Sequence, residues 1–364
     1  MRTLLTRLED FRLLPIFVVV SMIAGIGAGN ALRISDFSLT PPIEALKSIA
    51  GGTFELTVPN AISLGVPLGL FAMMYPAMTN VRLGEVGAAF RSPRQLAVVL
   101  AFNYLVAPFL MFGLANVFVP EPELRTGLVL YGLAPCIAMV IIFTFLARGN
   151  TPMALVFVAL NSIVQMLLLP VYARLLIGEV RFDVWVVAES VVLYLGLPLI
   201  FGIATRMAVV RRHGEAGMDA LKPILNAVSI LGLLFTLIVM FALKGDLILE
   251  RPAIVGEMAV PMILFFATMF FVVLLVGWRL RFPYRDAVAV AFNATGRDFE
   301  IAIAIAITAF SPTVALATVV GPLVEVPVML FLVWSAMQLA PRLVRETDVG
   351  TGTATRGAPE VVGR

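Results

Sequence analysis

The stretch AVAVAFNATGRDFEIAIAIAITAF, residues 287–310, is apolar at both ends and polar in its middle. Its two apolar arms together are long enough for one membrane-spanning helix, which needs about 20 residues. Charged side chains are costly in hydrocarbon, at least about 2.5 kcal/mol each. We therefore expect the polar middle to face protein or water, and the helix to be interrupted there.

The whole chain of 364 residues is similarly apolar, with 60% hydrophobic and 13% charged residues. A soluble domain cannot bury that much apolar surface, so the composition predicts an all-α polytopic membrane protein embedded in a lipid bilayer. Apolar runs of spanning length predict ten transmembrane helices. They cover residues 13–31, 59–78, 95–119, 126–146, 152–177, 184–206, 222–243, 255–278, 285–309 and 314–340.

Most of the 26 lysines and arginines lie in segments that the ten predicted spans place on the same side of the membrane as the N-terminus. The positive-inside rule then predicts both termini in the cytoplasm. We expect the membrane to be the plasma membrane. Ten spans divide into two five-helix repeats of opposite orientation, about 1–178 and 179–345, which is a common plan for transporters. Residues 1–345 form one predicted transmembrane domain, and the polar 346–364 form a predicted disordered tail.

Corresponding spans of the two halves carry helix-breaking or polar residues. The fourth span contains Pro135, and the ninth contains the polar run of residues 293–300. Interrupted helices at matching positions indicate a binding site near the bilayer midplane.

Several classes of function are excluded by residue counts. One cysteine and one histidine rule out a multi-thiolate metal cage and make a histidine metal site implausible. The chain has no phosphate-binding loop, no hydrolase constellation and no nucleic-acid footprint. We expect no enzymatic activity, no cofactor and no resident metal.

The lone cysteine, Cys136, follows Pro135 in the stretch YGLAPCIAMVII, residues 131–142. A buried cysteine is commonly a small packing residue. Proline removes a backbone donor and kinks a helix, so the sulfur here also lies beside a potential site. Both interpretations are open from the sequence.

The charged groups of the ninth span are Arg297, Asp298 and Glu300. Arg297 and Glu300 are three residues apart, so they share a face if that piece is helical. They form either a structural charge pair or part of a transport site.

Glu325 lies between two prolines in GPLVEVP, residues 321–327. An apolar environment favours the neutral carboxyl, which suits a proton carrier, or else a protonated acid that donates to a carbonyl freed by the prolines. Asn161 and Gln165 are four residues apart in the fifth span and line a cavity or bridge helices.

Several of these motifs resemble the arsenite efflux permeases of arsenical-resistance systems. They are GLAPCIAMVII at 132–142, FAMMYPAMTNVR at 71–82, DFEIAIAIAITAF at 298–310 and VVGPLVEVPVML at 319–330. LARGN at 146–150 also occurs in the related bile acid/sodium symporters. The resemblance covers all ten spans. It implies a core domain of spans 3–5 and 8–10, a panel domain of the others, and crossing unwound segments in spans 4 and 9.

The resemblance also implies roles for individual residues. Cys136 corresponds to the essential cysteine, Glu325 to the essential carboxylate and Glu300 to the acidic residue of the ninth-span crossover. The implied function is efflux of arsenite, and potentially antimonite, in exchange for protons, which confers arsenic resistance. Asn161, chosen from its place in the fifth span and not from the resemblance, is added to the predicted substrate site.

This sequence departs from the family pattern at two places. Phe143-Thr144 replace a Trp-Asn pair, and Arg297-Asp298 replace Asn-Asn. A fixed guanidinium there replaces a bound cation or attracts an anionic substrate. Two alternatives therefore stay open, namely a sodium-coupled symporter of a small organic anion with Arg297 as its carboxylate clamp, and a non-transporting membrane sensor or scaffold.

Overall fold

A computed structural model of the chain describes residues 14–32, 58–79, 91–137, 139–177, 184–250 and 252–343. All regular structure in these ranges is helical, apart from one isolated β-bridge. The helices are α1 Leu14–Leu32, α2 Val58–Thr79, α3 Pro93–Phe118, α4 Pro122–Leu133, α5 Met139–Leu146, α6 Thr151–Leu176, α7 184–213, α8 215–250, α9 Pro252–Arg279, α10 Tyr284–Thr295, α11 Phe299–Ala309 and α12 Pro312–Leu343.

Several helices are long and apolar enough to cross a membrane. In the described ranges these stretches are Pro93–Phe118, Thr151–Leu176, Ala253–Arg279, Thr313–Pro341 and Val192–Val239, and the last of them is divided between α7 and α8 by the non-helical Gly214. Large apolar side chains point outward from the bundle, such as Ile23, Val117 and Trp185, which are 65%, 76% and 79% exposed. Such side chains suit contact with lipid rather than water, so the protein is a multi-pass membrane protein.

Two of the predicted spans are each formed by two short helices. The fourth consists of α4 and α5, and the ninth consists of α10 and α11. The breaks lie at Pro135-Cys136 and at Gly296-Arg297-Asp298, which are the places where the sequence predicts interruptions. Proline lacks the donor that a continuous helix needs, and Gly296 adopts an extended conformation with ψ of 141°.

Prolines have other effects elsewhere in the fold. Single turns of π-helix occur at Phe102–Val106 and Val192–Gly196, each just before a residue pair that contains a proline. The wider turn accommodates the missing donor without ending the helix. α12 contains Pro322, Pro327 and Pro341, yet it continues as one helix through all three.

The helices pack in two groups. α1 and α2 pack against α7 and α8, while α3–α6 pack with α9–α12. Small residues allow close approach in the first group, because an added Cβ on Gly232 would lie 2.8 Å from the backbone nitrogen of Met73. The two groups meet along α7, whose first residues contact α6 and α11.

The predicted tail at 346–364 and the connection at 33–57 lie outside the described residues. The domain boundaries expected at these positions stay predictions.

Candidate functional site

The two helix breaks meet in the interior of the second group. The backbone nitrogen of Cys136 donates to the carbonyl of Gly296 at 3.0 Å, and that of Asp298 donates to the carbonyl of Ala134 at 2.8 Å. Pro135 and Arg297 form the antiparallel bridge between them. Each unwound segment thus satisfies backbone groups of the other, which compensates for the helical hydrogen bonds lost at the breaks.

Cys136 lies directly against this crossing and is 4% exposed. A Cβ on Gly296 would lie 3.0 Å from the Cβ of Cys136 and 2.6 Å from the Cγ2 of Val140. The close approach therefore depends on glycine at that position. In this conformation the thiol is enclosed, so a solute reaches it only after the surrounding helices move.

Glu325 of α12 is fully buried beside the same crossing. Its Oε2 accepts a hydrogen bond from the hydroxyl of Tyr131 at 2.5 Å, and its Oε1 accepts one from the backbone nitrogen of Arg297 at 3.2 Å. Glu325 and Cys136 are therefore both hydrogen-bonded to the two-residue stretch Gly296-Arg297. This segment therefore connects the backbone of Cys136 with the carboxyl of Glu325.

The guanidinium of Arg297 is also fully buried. Its Nε donates to the carbonyl of Thr295 at 3.2 Å and its Nη1 donates to that of Gly132 at 3.3 Å. Its Nη2 donates to the Oδ1 of Asn103 at 2.7 Å and to the carbonyl of Ala294. Neutral oxygens surround the positive charge.

An aromatic ring completes the surroundings of Arg297. The guanidinium carbon lies 5.3 Å from the ring centroid of Phe265 in α9, close enough for a cation–π interaction. No carboxylate among the described side chains forms an ion pair with this guanidinium. Backbone carbonyls and one side-chain amide therefore make the direct hydrogen bonds to the positive charge.

Asp298 is the N-cap of α11, and its Oδ1 accepts a hydrogen bond from the backbone nitrogen of Ile301 at 3.1 Å. Because α11 begins at Phe299, Arg297 precedes the helix, so the condition under which Arg297 and Glu300 would share one helical face is not met. Glu300 itself lies in α11, and its side chain is outside the described part of the structure. Its predicted role stays a prediction.

Asn161 and Gln165 of α6 are fully buried. The amide oxygen and nitrogen of both side chains have no described hydrogen-bond partner. The hydroxyls of Thr144 and Thr295 are also buried without a described hydrogen-bond partner. Buried polar atoms without partners are costly, so these amides are suited to bind water or a polar solute.

The two departures from the family pattern have different surroundings. Phe143 packs on Phe292, with ring centroids 6.2 Å apart, so it belongs to the apolar core. Thr144 supplies one of the unpartnered hydroxyls. Arg297 lies beside the crossing, between Asn103 and the ring of Phe265.

A cavity of about 250 Å³ opens near the first turns of α4, and its lining includes Phe112, Asn116 and Arg125. None of the predicted site residues lines it. The described residues also contain no group of three or more histidine, cysteine, aspartate or glutamate side chains that could hold a metal ion.

The sequence interpretation missed two contributors, Asn103 and Tyr131. Asn103 is an amide well inside the third span, between apolar residues on either side, and that position was a usable signal. Tyr131 is the first residue of the stretch that contains Cys136, but nothing local pointed to a partner in α12.

Comparison with known proteins identifies the relatives of this chain. Residues 67–251 match the sodium bile acid symporter family. The chain belongs to this family. Within the family it is 33% identical to the arsenical-resistance protein Acr3 of Corynebacterium glutamicum, over 91% of this chain and 89% of the relative.

Two further relatives extend the comparison. Acr3 of Alkaliphilus metalliredigens is 33% identical over 75% of this chain and 81% of its own length. An uncharacterised transporter of Synechocystis is 32% identical over 93% of this chain and 91% of its own length. This member of the sodium bile acid symporter family is therefore a membrane transporter, so the sensor or scaffold interpretation is set aside.

Proposed function

We propose that the protein exports arsenite across the plasma membrane in exchange for protons, with antimonite as a second substrate, and so confers arsenic resistance. The proposal includes ten membrane crossings arranged as two inverted repeats, a core and a panel domain, and both termini in the cytoplasm. The observation that carries it is the connection of Cys136 and Glu325 to the same two residues of the ninth segment. The similarity to two Acr3 proteins supports the substrate.

The chemistry of arsenite suits this site. At neutral pH arsenite is mainly As(OH)3, a neutral solute that needs hydrogen-bond partners and no counter-charge. The thiol of Cys136 displaces one hydroxyl, forming an As–S bond, and the thiol proton leaves with the hydroxide as water. Water reverses the step and regenerates the thiol. A single sulfur permits release, whereas three would hold the metalloid firmly.

The remaining hydroxyls need polar neighbours. The unpartnered amides of Asn161 and Gln165 supply donors and acceptors of the required kind. In the proposal, the core domain moves against the panel, protonation of Glu325 from outside promotes release, and the proton is delivered to the cytoplasm on return. Glu300 is assigned to the same substrate and proton site.

The sodium-coupled organic anion symporter is less well supported. It requires the guanidinium of Arg297 to clamp a carboxylate, and that contact uses two parallel donors. Four of its five N–H donors are directed at protein oxygens. The clamp would have to break these hydrogen bonds before it could bind the substrate.

The test is growth of an arsenic-sensitive bacterium that lacks its own efflux pump. Expression of the wild-type chain is expected to restore growth on arsenite, and Cys136→Ser is expected to abolish the effect while the protein remains in the membrane. Met22→Leu, a change in a buried side chain of α1, is the matched control. Full resistance with Cys136→Ser would reject the thiol mechanism.

A further inference from the structure

The carbonyl groups around Arg297 come from the ends of two helices. Gly132 lies in the last turn of α4, and Ala294 and Thr295 lie in the last turn of α10. Carbonyls at a helix C-terminus have no helical donor and carry the negative end of the helix dipole. Two such termini converge here, so the fold presents a negative potential that calls for a cation.

The oxygens that surround this guanidinium are of the chemical type that coordinates a hard monovalent cation. They are three backbone carbonyls and the Oδ1 of Asn103, all bonded to one guanidinium. Carbonyl oxygens at the ends of broken helices are typical ligands for sodium in transporters. In this protein a side chain occupies the centre of this cage of oxygens instead.

We propose that Arg297 is a resident cation that permanently fills this cage, so that the transporter needs no free sodium or other alkali cation. The guanidinium is tethered one residue from Gly296, and its own backbone nitrogen binds Glu325. Another transporter would have to bind a cation here in every cycle. In this protein the positive charge is part of the chain itself. Arg297 is a positioning residue, since it holds the crossing together without contacting substrate.

This inference deepens the proposed function, because it assigns the coupling charge to protons alone. It also makes a prediction that does not depend on arsenite. Removing the guanidinium leaves the carbonyls and the amide without a positive partner, and buried unpaired oxygens are costly. A small cation that enters the vacated space would restore their partners and stabilise the fold.

The experiment measures thermal unfolding of the purified protein in detergent, in choline, sodium, potassium or methylguanidinium chloride at equal ionic strength. The wild type is expected to unfold at the same temperature in all four salts. Arg297→Ala is expected to unfold several degrees lower in choline, and to regain most of the loss in sodium or methylguanidinium. Potassium distinguishes a cage selective for sodium from one that accepts any alkali cation.

Arg206→Ala is the matched control. Arg206 is another largely buried arginine, but it pairs with Glu215 at 2.8 Å instead of with carbonyl oxygens. Its removal is expected to produce no response to sodium or methylguanidinium. A second variant, Arg297→Asn, leaves a short polar side chain beside the cage and is expected to respond to sodium as Arg297→Ala does.

The outcomes separate this inference from the proposed function. The resident-cation inference would be overturned if sodium raised the unfolding temperature of the wild type as much as it raises that of Arg297→Ala. It would also be overturned if the Arg297 variants showed no shift with sodium, potassium or methylguanidinium, or aggregated in every salt. Variants that remain monodisperse only with sodium or methylguanidinium would support it. If arsenite transport fails while these stability shifts appear, the resident cation stands and the substrate assignment falls.

Discussion

At the residue scale, the site depends on a few buried polar groups whose partners lie far away along the chain. Glu325 accepts hydrogen bonds from two donors, the Tyr131 hydroxyl and the Arg297 backbone nitrogen. Glutamine keeps the shape of this side chain and can keep both contacts if the Tyr131 hydroxyl rotates to accept from the amide. It removes only the ability to exchange a proton.

We therefore expect Glu325→Gln to unfold within a few degrees of the wild type but to lose energised arsenite transport. The measurement pairs thermal unfolding with uptake into proteoliposomes. Glu257→Gln, which changes an exposed carboxyl on α9, is the control and should transport normally. Undiminished transport by Glu325→Gln would remove this carboxyl from the proton pathway.

Tyr131→Phe removes the donor of the hydrogen bond between Tyr131 and Glu325. The hydroxyl donates to Glu325 at 2.5 Å in a fully buried position, so its loss leaves one carboxyl oxygen without a partner. We expect a destabilisation of about 1–3 kcal/mol, measured by denaturant or thermal unfolding in detergent. A neutral effect on stability would mean that this hydrogen bond contributes little to the folded state.

The sequence allowed the polar residues to be recognised but not their partners. Arg297 and Glu325 stand out because each interrupts an apolar run, where a charged group is costly. Cys136 stands out because it is the single cysteine and follows a proline. Their contacts are not local. The bonds from Tyr131 to Glu325 and from Arg297 to Asn103 each join residues 194 positions apart, and only the three-dimensional fold brings such pairs together.

At the element scale, the site requires two unwound segments to pass each other closely. Gly296 permits this, because any side chain there would meet Val140 and Cys136. The break is predictable from composition, since proline, glycine and charged residues all disfavour a continuous apolar helix. The residue at which α11 begins is not predictable in the same way, and it determines that Arg297 precedes the helix.

Gly296→Ala is expected to separate the two segments and to reduce transport severely. The added methyl group would lie 2.6 Å from Val140 Cγ2, a distance that requires backbone movement or a change in that side chain. Reaction of Cys136 with a small thiol reagent should become faster, because the crossing opens. Both effects are measurable on purified protein in proteoliposomes.

Gly113→Ala is the matched control for this change. It lies in α3 with nothing within 4 Å of the added carbon, so alanine there should leave transport intact and modestly favour the helix. If Gly296→Ala behaves like Gly113→Ala in both assays, the close crossing has no part in transport.

At the scale of the whole molecule, the two groups of helices differ in how many buried polar groups they contain. The group of α1, α2, α7 and α8 packs through small residues such as Gly25, Gly69 and Gly232. The other group contains the crossing and most of the buried polar groups. A transporter can move one such group against the other while leaving the site itself intact.

Charge balance across the membrane gives the last prediction. As(OH)3 is neutral, so its exchange for one proton moves one net positive charge, worth about 2.3 kcal/mol for every 100 mV of membrane potential. In everted vesicles, a lumen-positive potential set with potassium and valinomycin should therefore drive arsenite uptake even without a pH gradient. A lumen-negative potential should oppose uptake.

Cys136→Ser vesicles under the same potentials control for leakage through the lipid. Adding sodium to either face should change nothing, because the resident guanidinium of Arg297 already supplies the cation at the crossing. Uptake that ignores the potential but follows the pH gradient would instead require a second charge to move with each arsenite, and the one-proton exchange would then be wrong.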